Sequence, residues 1–217
     1  RNAGREVRLG LLGNVEQLSG DARLNADRWE GETEVLSTDL LQDADCVVDA
    51  IFGAGLSRDI DGAAHELIEA IGDRYCVAVD VPSGIHGDSG EVMGIAPKVH
   101  KTVTFFRLKP GHLLYPGRAY CGEMIVVDIG IPDSVLEEIG PSHWRNGPSS
   151  WTYGFPWPRW NDHKYSRGHA IVVGGAEMTG AARLAVQSAM RVGAGIVSIA
   201  VPTESAVIYR VSLPEAI

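Results

Sequence analysis

The sequence predicts a doubly wound α/β protein built on a mostly parallel sheet. Three observations predict it. Short runs rich in β-branched and apolar residues recur along the chain, they alternate with helix-like segments, and several stop at glycines or at Pro-Ser-Gly. Runs that are apolar on both faces suit a sheet covered by helices, because parallel strands need crossovers that pack on it.

Residues 7–13 (VRLGLLG) are short and apolar and predict a strand. Residues 18–29 are polar, with Leu18 and Leu24, and predict a modest helix. Residues 44–55 (ADCVVDAIFGAG) begin as an apolar strand and end in glycines. Residues 62–72 place Ala63, Leu67, Ala70 and Ile71 at helical spacing. Residues 76–81 (CVAVDV) predict a buried strand halted by Pro82 and Gly84. Residues 101–106 and 124–129 add two more strands. The texture changes at Gly140. Residues 141–162 hold four prolines and four tryptophans without a period, and predict an interdomain linker whose aromatics pack on their neighbours. A strand over 169–173, a helix over about 179–192 and a strand over 196–201 then restart the alternation as an unfinished βαβ unit. The predicted divisions are 1–140, 141–162 and 163–217.

A length of 217 residues allows one large domain, or one domain and part of another. Apolar residues at 45% and charged residues at 22% exclude disordered, collagenous and coiled-coil chains. The balance of 19 basic against 28 acidic residues leaves no footprint for nonspecific nucleic-acid binding. No apolar run approaches the ~18 residues of a membrane span. Three cysteines, Cys46, Cys76 and Cys121, with no CxxC, argue against a disulfide framework or zinc ribbon. Each sits in or beside an apolar run, so buried free thiols and a reducing, cytoplasmic setting are expected. The chain opens at Arg1 without a methionine, and the expectation is a fragment cut at both ends.

In open α/β sheets ligands bind beyond the carboxyl ends of the strands. Three segments converge there. In the first, 49–59 (DAIFGAGLSRD), two glycines after a strand let the backbone approach an anion, with Arg58 and Asp59 in the same loop. A bare strand–turn–helix connection explains the glycines equally well, and the third glycine of GxGxxG is replaced by Arg58. In the second, 80–90 (DVPSGIHGDSG), Asp80 ends a buried strand as Asp49 does. Two such carboxylates can bind a cation, or one can act as acid or base; as an alternative both cap loop amides. His86 reads as an ordinary loop histidine. In the third, 105–112 (FFRLKPGH), Arg107, Lys109 and His112 put positive charge beside a strand end, which suits a phosphate or a solvated loop. The glycine and proline of 128–132 (DIGIP) read as a strand exit. Further on, 174–183 (GGAEMTGAAR) opens a helix with small residues, suited to ligand contact or to close helix packing. HExxH, GxSxG and GxxxxGK[ST] are absent.

Taken together, DAIFGAGLSRDIDG, VAVDVPSGIHGDSG and TVTFFRLKPGHLLYPGRAYCGEMIVVDIGIP resemble the NAD(P)H-hydrate epimerase (YjeF N-terminal) domain. HKYSRGHAIVVGGAEMTGAARLAVQSAMRVGAGIVSIAVP resembles the start of the ADP/ATP-dependent NAD(P)H-hydrate dehydratase, a ribokinase-like domain. Their order matches the bifunctional nicotinamide-nucleotide repair family. The resemblance implies a Rossmann-like epimerase domain at 1–140, which interconverts the R and S hydrates of NADH and NADPH at C6 of the ring. It implies a C-terminally truncated dehydratase from 163 onward, which uses ADP or ATP at a site beyond the chain end. It also implies a K⁺ ion held by Asp49 and Ser83, with a further ligand from an upstream GNNGGDG-type loop that this chain lacks. Substrate contacts then fall on Gly53, Ala54, Gly55, Leu56, Ser57, Arg58, Asp59 and Asp80, with Ala181 lining the hydrate pocket. Asp80 is expected to be the acid/base and Asp49 mainly a cation ligand. The implied partners are the hydrated nucleotides and a second copy of the chain, with no nucleic acid and no membrane. Two other readings stand beside this one: a Rossmann-type dehydrogenase, which lacks its GxGxxG, and a noncatalytic binding module on the same fold.

Overall fold

The computed structural model describes residues 4–217, which fall into two compact units divided between Trp144 and Arg145. In the first unit, β1 (Leu9–Leu11) and β2 (Thr33–Val35) pair in parallel around α1 (Gly20–Arg28). Arg8 clamps Glu34 beside this pair with two hydrogen bonds of 2.9 and 2.6 Å. The chain continues through β3 (Val47–Asp49), α2 (Gly62–Ile71), β4 (Cys76–Val79), β5 (Lys101–Phe105), β6 (Glu123–Val127) and α3 (Val135–Ile139). The last four strands form one parallel sheet in the order β3-β4-β5-β6.

That order has no reversal among the described strands. Right-handed crossovers laid down in one direction place their connections on one face of a sheet. Burial follows this geometry. Cys76 and Ala78 of β4 and Thr102 and Thr104 of β5 are buried, while Val77, Val79, Val103 and Phe105 between them are half-buried. The covered face packs on Ala64, Leu67, Ile68 and Ile71 of α2 and on Leu36 and Leu41. On the other face Val48 is 64% and Val127 37% exposed, whereas Val126, opposite Thr104, lies on the same face as α2. The predicted helix at α2 is a ten-residue element whose apolar side faces the sheet, as its spacing requires. The predicted strands at β1 and β3 shrink to three residues each, and β2 had no apolar signature to announce it.

The cysteines need a second correction. Cys76 and Cys121 are buried, but Cys46 is exposed, because it precedes β3 at the sheet edge rather than lying in it. Burial pushes the Cys76 thiol up to about 12, with the nearby Asp49 charge acting in the same direction, and the Cys121 thiol up to about 11. A thiol-alkylating reagent at neutral pH is therefore expected to modify Cys46 alone in the native protein. Mass mapping of labelled peptides checks this, and faster modification of Cys76 or Cys121 contradicts it.

In the second unit α4 (Pro148–Trp151) leads to β7 (His169–Val173), α5 (Gly180–Val192), β8 (Ile196–Ala200) and α6 (Ala206–Ser212). β7 and β8 pair in parallel over five residues. Val186, Val197, Tyr209 and Leu213 form the core, and the Tyr209 hydroxyl donates to the Gly175 carbonyl at 2.9 Å. α6 was not foreseen; it carries the most voluminous fully buried side chain, Tyr209. The tryptophans of 141–162 do not bury as expected. Trp144 is 73% and Trp160 98% exposed, and the aromatic contacts are local, Trp151 on Phe155 and Phe155 on Trp157. No helix among the described residues is long and apolar enough to cross a membrane.

Candidate functional site

The parallel register brings the chemistry together. Asp49 is the last residue of β3, opposite Ala78 of β4, and Asp80 immediately follows the end of β4. Val79 faces Val103 of β5, so Thr104 stands beside Asp80. All three side chains thus emerge at the carboxyl ends of neighbouring strands, where open α/β sheets bind ligands. Asp80 has φ +69°, a left-handed conformation that costs a non-glycine residue about 1–2 kcal/mol and that aspartate tolerates better than most. Its N–H donates to the Val103 carbonyl at 2.7 Å.

Asp49 is 2% exposed. Its Oδ2 accepts from the Ser83 N–H at 2.8 Å, and its Oδ1 accepts from the Ser83 hydroxyl at 2.5 Å and from the Ile51 N–H at 3.5 Å. Ser83 Oγ in turn accepts from the Phe52 N–H at 3.0 Å. Burial raises the Asp49 carboxyl above the usual carboxylate range, against the pull of the Ser83 and Ile51 hydrogen bonds. No basic side chain forms an ion pair with Asp49 among the described residues. The carboxylate has room for about four hydrogen bonds and uses three, and Ser83 Oγ has two lone pairs and uses one. One open lone pair on Asp49 Oδ2, one on Ser83 Oγ and a buried carboxylate without an ion-pair partner fit a hard monovalent cation. Among the described residues, at Asp49 or elsewhere, no three His, Cys, Asp or Glu side chains gather to hold a metal ion.

Gly84, next to Ser83, has φ +94°, and a Cβ there would collide with the Ile95 carbonyl. Glycine is thus required for the Pro-Ser-Gly turn that aims Ser83 at Asp49.

Asp80 is held differently. Its Oδ1 accepts from Lys109 Nζ at 2.5 Å and from the Thr104 hydroxyl at 3.0 Å. Its Oδ2 accepts only a long contact, 3.4 Å, from the Ala54 N–H in the glycine loop. Burial alone would raise this carboxyl, but the Lys109 hydrogen bond and charge, with Thr104 and Ala54 helping, outweigh it and hold Asp80 below the ordinary carboxylate range. The Asp80 carbonyl meets His112 Nε2 at 2.9 Å, while His112 Nδ1 accepts from the Lys109 N–H at 3.0 Å. Those two contacts assign the proton to Nε2. Burial lowers the His112 pKa, the Lys109 charge adds to the effect, and the ring is a neutral strut.

Of the residues read from the sequence, Asp49 and Ser83 are in direct contact, and Asp80 meets the loop at Ala54 and Gly53, where a Cβ would lie 3.4 Å from Oδ2. Gly53, Gly55, Ser57, Arg58 and Asp59 are exposed on that loop. Leu56, Arg58 and Asp59 line a cavity of about 340 Å³ together with Leu12, Phe52 and Ile60. Neither Asp49 nor Asp80 lines it; Phe52 links the two places through its bond to Ser83. Ala181 is exposed near the start of α5 in the other unit. Of the three residues read as suited to a phosphate or a solvated loop in 105–112, Lys109 bonds to Asp80, Arg107 pairs on the surface with Asp133 at 2.5 Å, and His112 is buried. Sequence reasoning missed Lys109, Thr104 and His112 as partners of Asp80, because only the pairing of β4 with β5 brings them there.

A parallel α/β domain whose strand ends carry one buried, unpaired carboxylate and one ion-paired, half-open carboxylate belongs among the ligand-binding sheets with a site at the strand ends. Residues 1–111 match the family described as YjeF-related protein N-terminus, and the chain belongs to that family. It is 38% identical to the bifunctional NAD(P)H-hydrate repair enzyme Nnr of Coxiella burnetii, over 98% of this chain and 45% of that protein. The corresponding enzyme of Moorella thermoacetica is 34% identical over 99% of this chain and 44% of its own length. The NAD(P)H-hydrate epimerase of Limosilactobacillus fermentum is 41% identical over 58% of this chain and 62% of its own length. The chain spans less than half the length of these two bifunctional relatives.

Proposed function

We propose that the unit containing Asp49 and Asp80 is an NAD(P)H-hydrate epimerase, interconverting the R and S hydrates of NADH and NADPH. The observation that carries this reading is the half-open Asp80, whose Oδ2 faces the glycine loop while its Oδ1 is anchored. The names of the relatives in both bifunctional and stand-alone form support it. Asp80 exchanges a proton with the hydrated ring through Oδ2, taking it in one half of the reaction and returning it in the other, so the net proton balance is zero. The glycine loop 53–59 borders the substrate, its amides and Arg58 suiting the phosphates. Asp49 and Ser83 would hold K⁺, which would offset the buried charge and the pyrophosphate.

On the same reading residues 1–140 are the epimerase domain and 141–162 a linker. Residues 163–217 begin a ribokinase-like, ADP- or ATP-dependent NAD(P)H-hydrate dehydratase in which Ala181 lines the hydrate pocket. The protein works in the cytoplasm, as a homo-oligomer.

The test uses the protein at the full length its gene encodes, with a single hydrate epimer of NADPH, with and without K⁺. The expected result is epimer exchange, faster with K⁺, and loss of the hydrate absorbance only when ADP or ATP is added. Hydride transfer from intact NADPH without epimer exchange favours the dehydrogenase reading instead. Binding without turnover favours the noncatalytic module.

A further inference from the structure

The ammonium of Lys109 has three protons and, in this structure, three acceptors: Asp80 Oδ1 at 2.5 Å, Thr104 Oγ1 at 2.8 Å and the Phe105 carbonyl at 3.3 Å. None is left for a phosphate. Thr104 accepts from Lys109 and donates to the same Asp80 oxygen, so three groups close a ring on Oδ1. The backbone of the same loop closes a second hold, since the Lys109 N–H fixes His112 and His112 fixes the Asp80 carbonyl. One four-residue stretch therefore grips Asp80 at its side chain and at its main chain. The Lys109 and Asp80 side chains remain 26% and 23% exposed.

We propose that Lys109 is a positioning residue that makes the two oxygens of Asp80 unequal: Oδ1 is the anchor, and Oδ2, turned to the glycine loop, is the oxygen that meets the reacting group. The proposal rests on the epimerase reading of this site. Lys109 itself does not touch substrate. Its loop is held in place by Gly111, whose N–H donates to the Gly87 carbonyl at 2.7 Å. The other charged and titratable groups around Asp80 leave Lys109 as its one ion-pair partner among the described residues. His112 reaches only the Asp80 carbonyl. Asp49, at the end of β3, turns its carboxylate to Ser83. Arg107 pairs with Asp133, and Arg58 and Asp59 stand exposed on the glycine loop.

The experiment compares wild type, Lys109→Met, Lys109→Arg and Thr104→Val at full gene length, measuring epimer exchange as a function of pH. For Lys109→Met we expect kcat to fall about 10- to 100-fold, with KM within about threefold of wild type. The acid limb of kcat/KM is expected to move upward by at least about one pH unit, because an Asp80 without its cation needs higher pH to ionise. Lys109→Arg keeps the charge and restores most of the acid limb, though less of kcat, since a planar fork does not reproduce a compact ammonium. Thr104→Val loses one donor to Oδ1 and shifts kcat in the same direction by a smaller factor, which decides the matter should Lys109→Met fail to fold.

A Lys109→Met protein with a tenfold higher KM and an unmoved acid limb would show that Lys109 binds a substrate phosphate, and would overturn the proposal. Activity equal to wild type in Lys109→Met overturns it as well. Absence of exchange by the wild type instead removes the epimerase reading, and the role of Lys109 in that reaction with it. The two failures are therefore distinct.

Discussion

Replacing Asp80 by asparagine is expected to lower kcat for hydrate epimer exchange by about 10²- to 10⁴-fold, the usual contribution of a positioned acid–base group. The substitution is nearly isosteric. Asparagine keeps a carbonyl oxygen for Lys109 and Thr104 and adapts to the left-handed backbone at this position. It lacks a basic oxygen to take a proton at the glycine loop. KM should change little, because Asp80 contributes one contact among those of the loop. Losing the charge opposite Lys109 leaves that ammonium less compensated, which costs some stability in a pair only about a quarter exposed, but the Asn carbonyl still accepts from it. Thermal melts should therefore place the variant within a few degrees of wild type. The decisive measurement is single-epimer exchange followed by chromatography; full epimerisation by Asp80→Asn would remove Asp80 from the chemistry.

Replacing Asp49 by alanine is expected to act on stability first. The side chain is buried, and it is the acceptor for the Ser83 N–H and the Ser83 hydroxyl. Alanine orphans both donors in a site that water barely reaches. An unsatisfied buried donor costs about 1–3 kcal/mol, so a loss of about 2–4 kcal/mol by denaturant unfolding is expected. The released turn also loosens the Phe52 N–H to Ser83 contact and, with it, the glycine loop. A second readout separates a cation ligand from a structural cap. Wild type should melt at a higher temperature in KCl than in tetramethylammonium chloride of equal ionic strength, because a ligand that binds only the native state stabilises it. Asp49→Ala should lose that difference. A wild type indifferent to K⁺ would leave Asp49 as a cap for the Pro-Ser-Gly turn.

The alternation of β-branched runs with helical spacing announced β4, β5, β7, α2 and α5 within a residue or two. Their apolar pattern has one solution, and glycine or proline stops them. Asp49 and Asp80 were readable because carboxylates at the ends of buried strands are costly unless paired or coordinating, whereas Ser83 entered only through the family resemblance. The misses share a physical cause. Cys46 and the tryptophans of 141–162 are apolar by type, and residue type does not say which side of an element meets solvent.

The sequence by itself determined the parallel α/β framework and the two carboxylates at its strand ends, because periodicity and the penalty on buried charge act locally. Only the tertiary structure decided how those carboxylates differ. Pairing β4 with β5 carries Lys109 to Asp80, 29 positions away, and the Pro-Ser-Gly turn carries Ser83 to Asp49, 34 positions away. Ionisation depends on the distance to a partner in space, and that distance is set by register rather than by spacing along the chain.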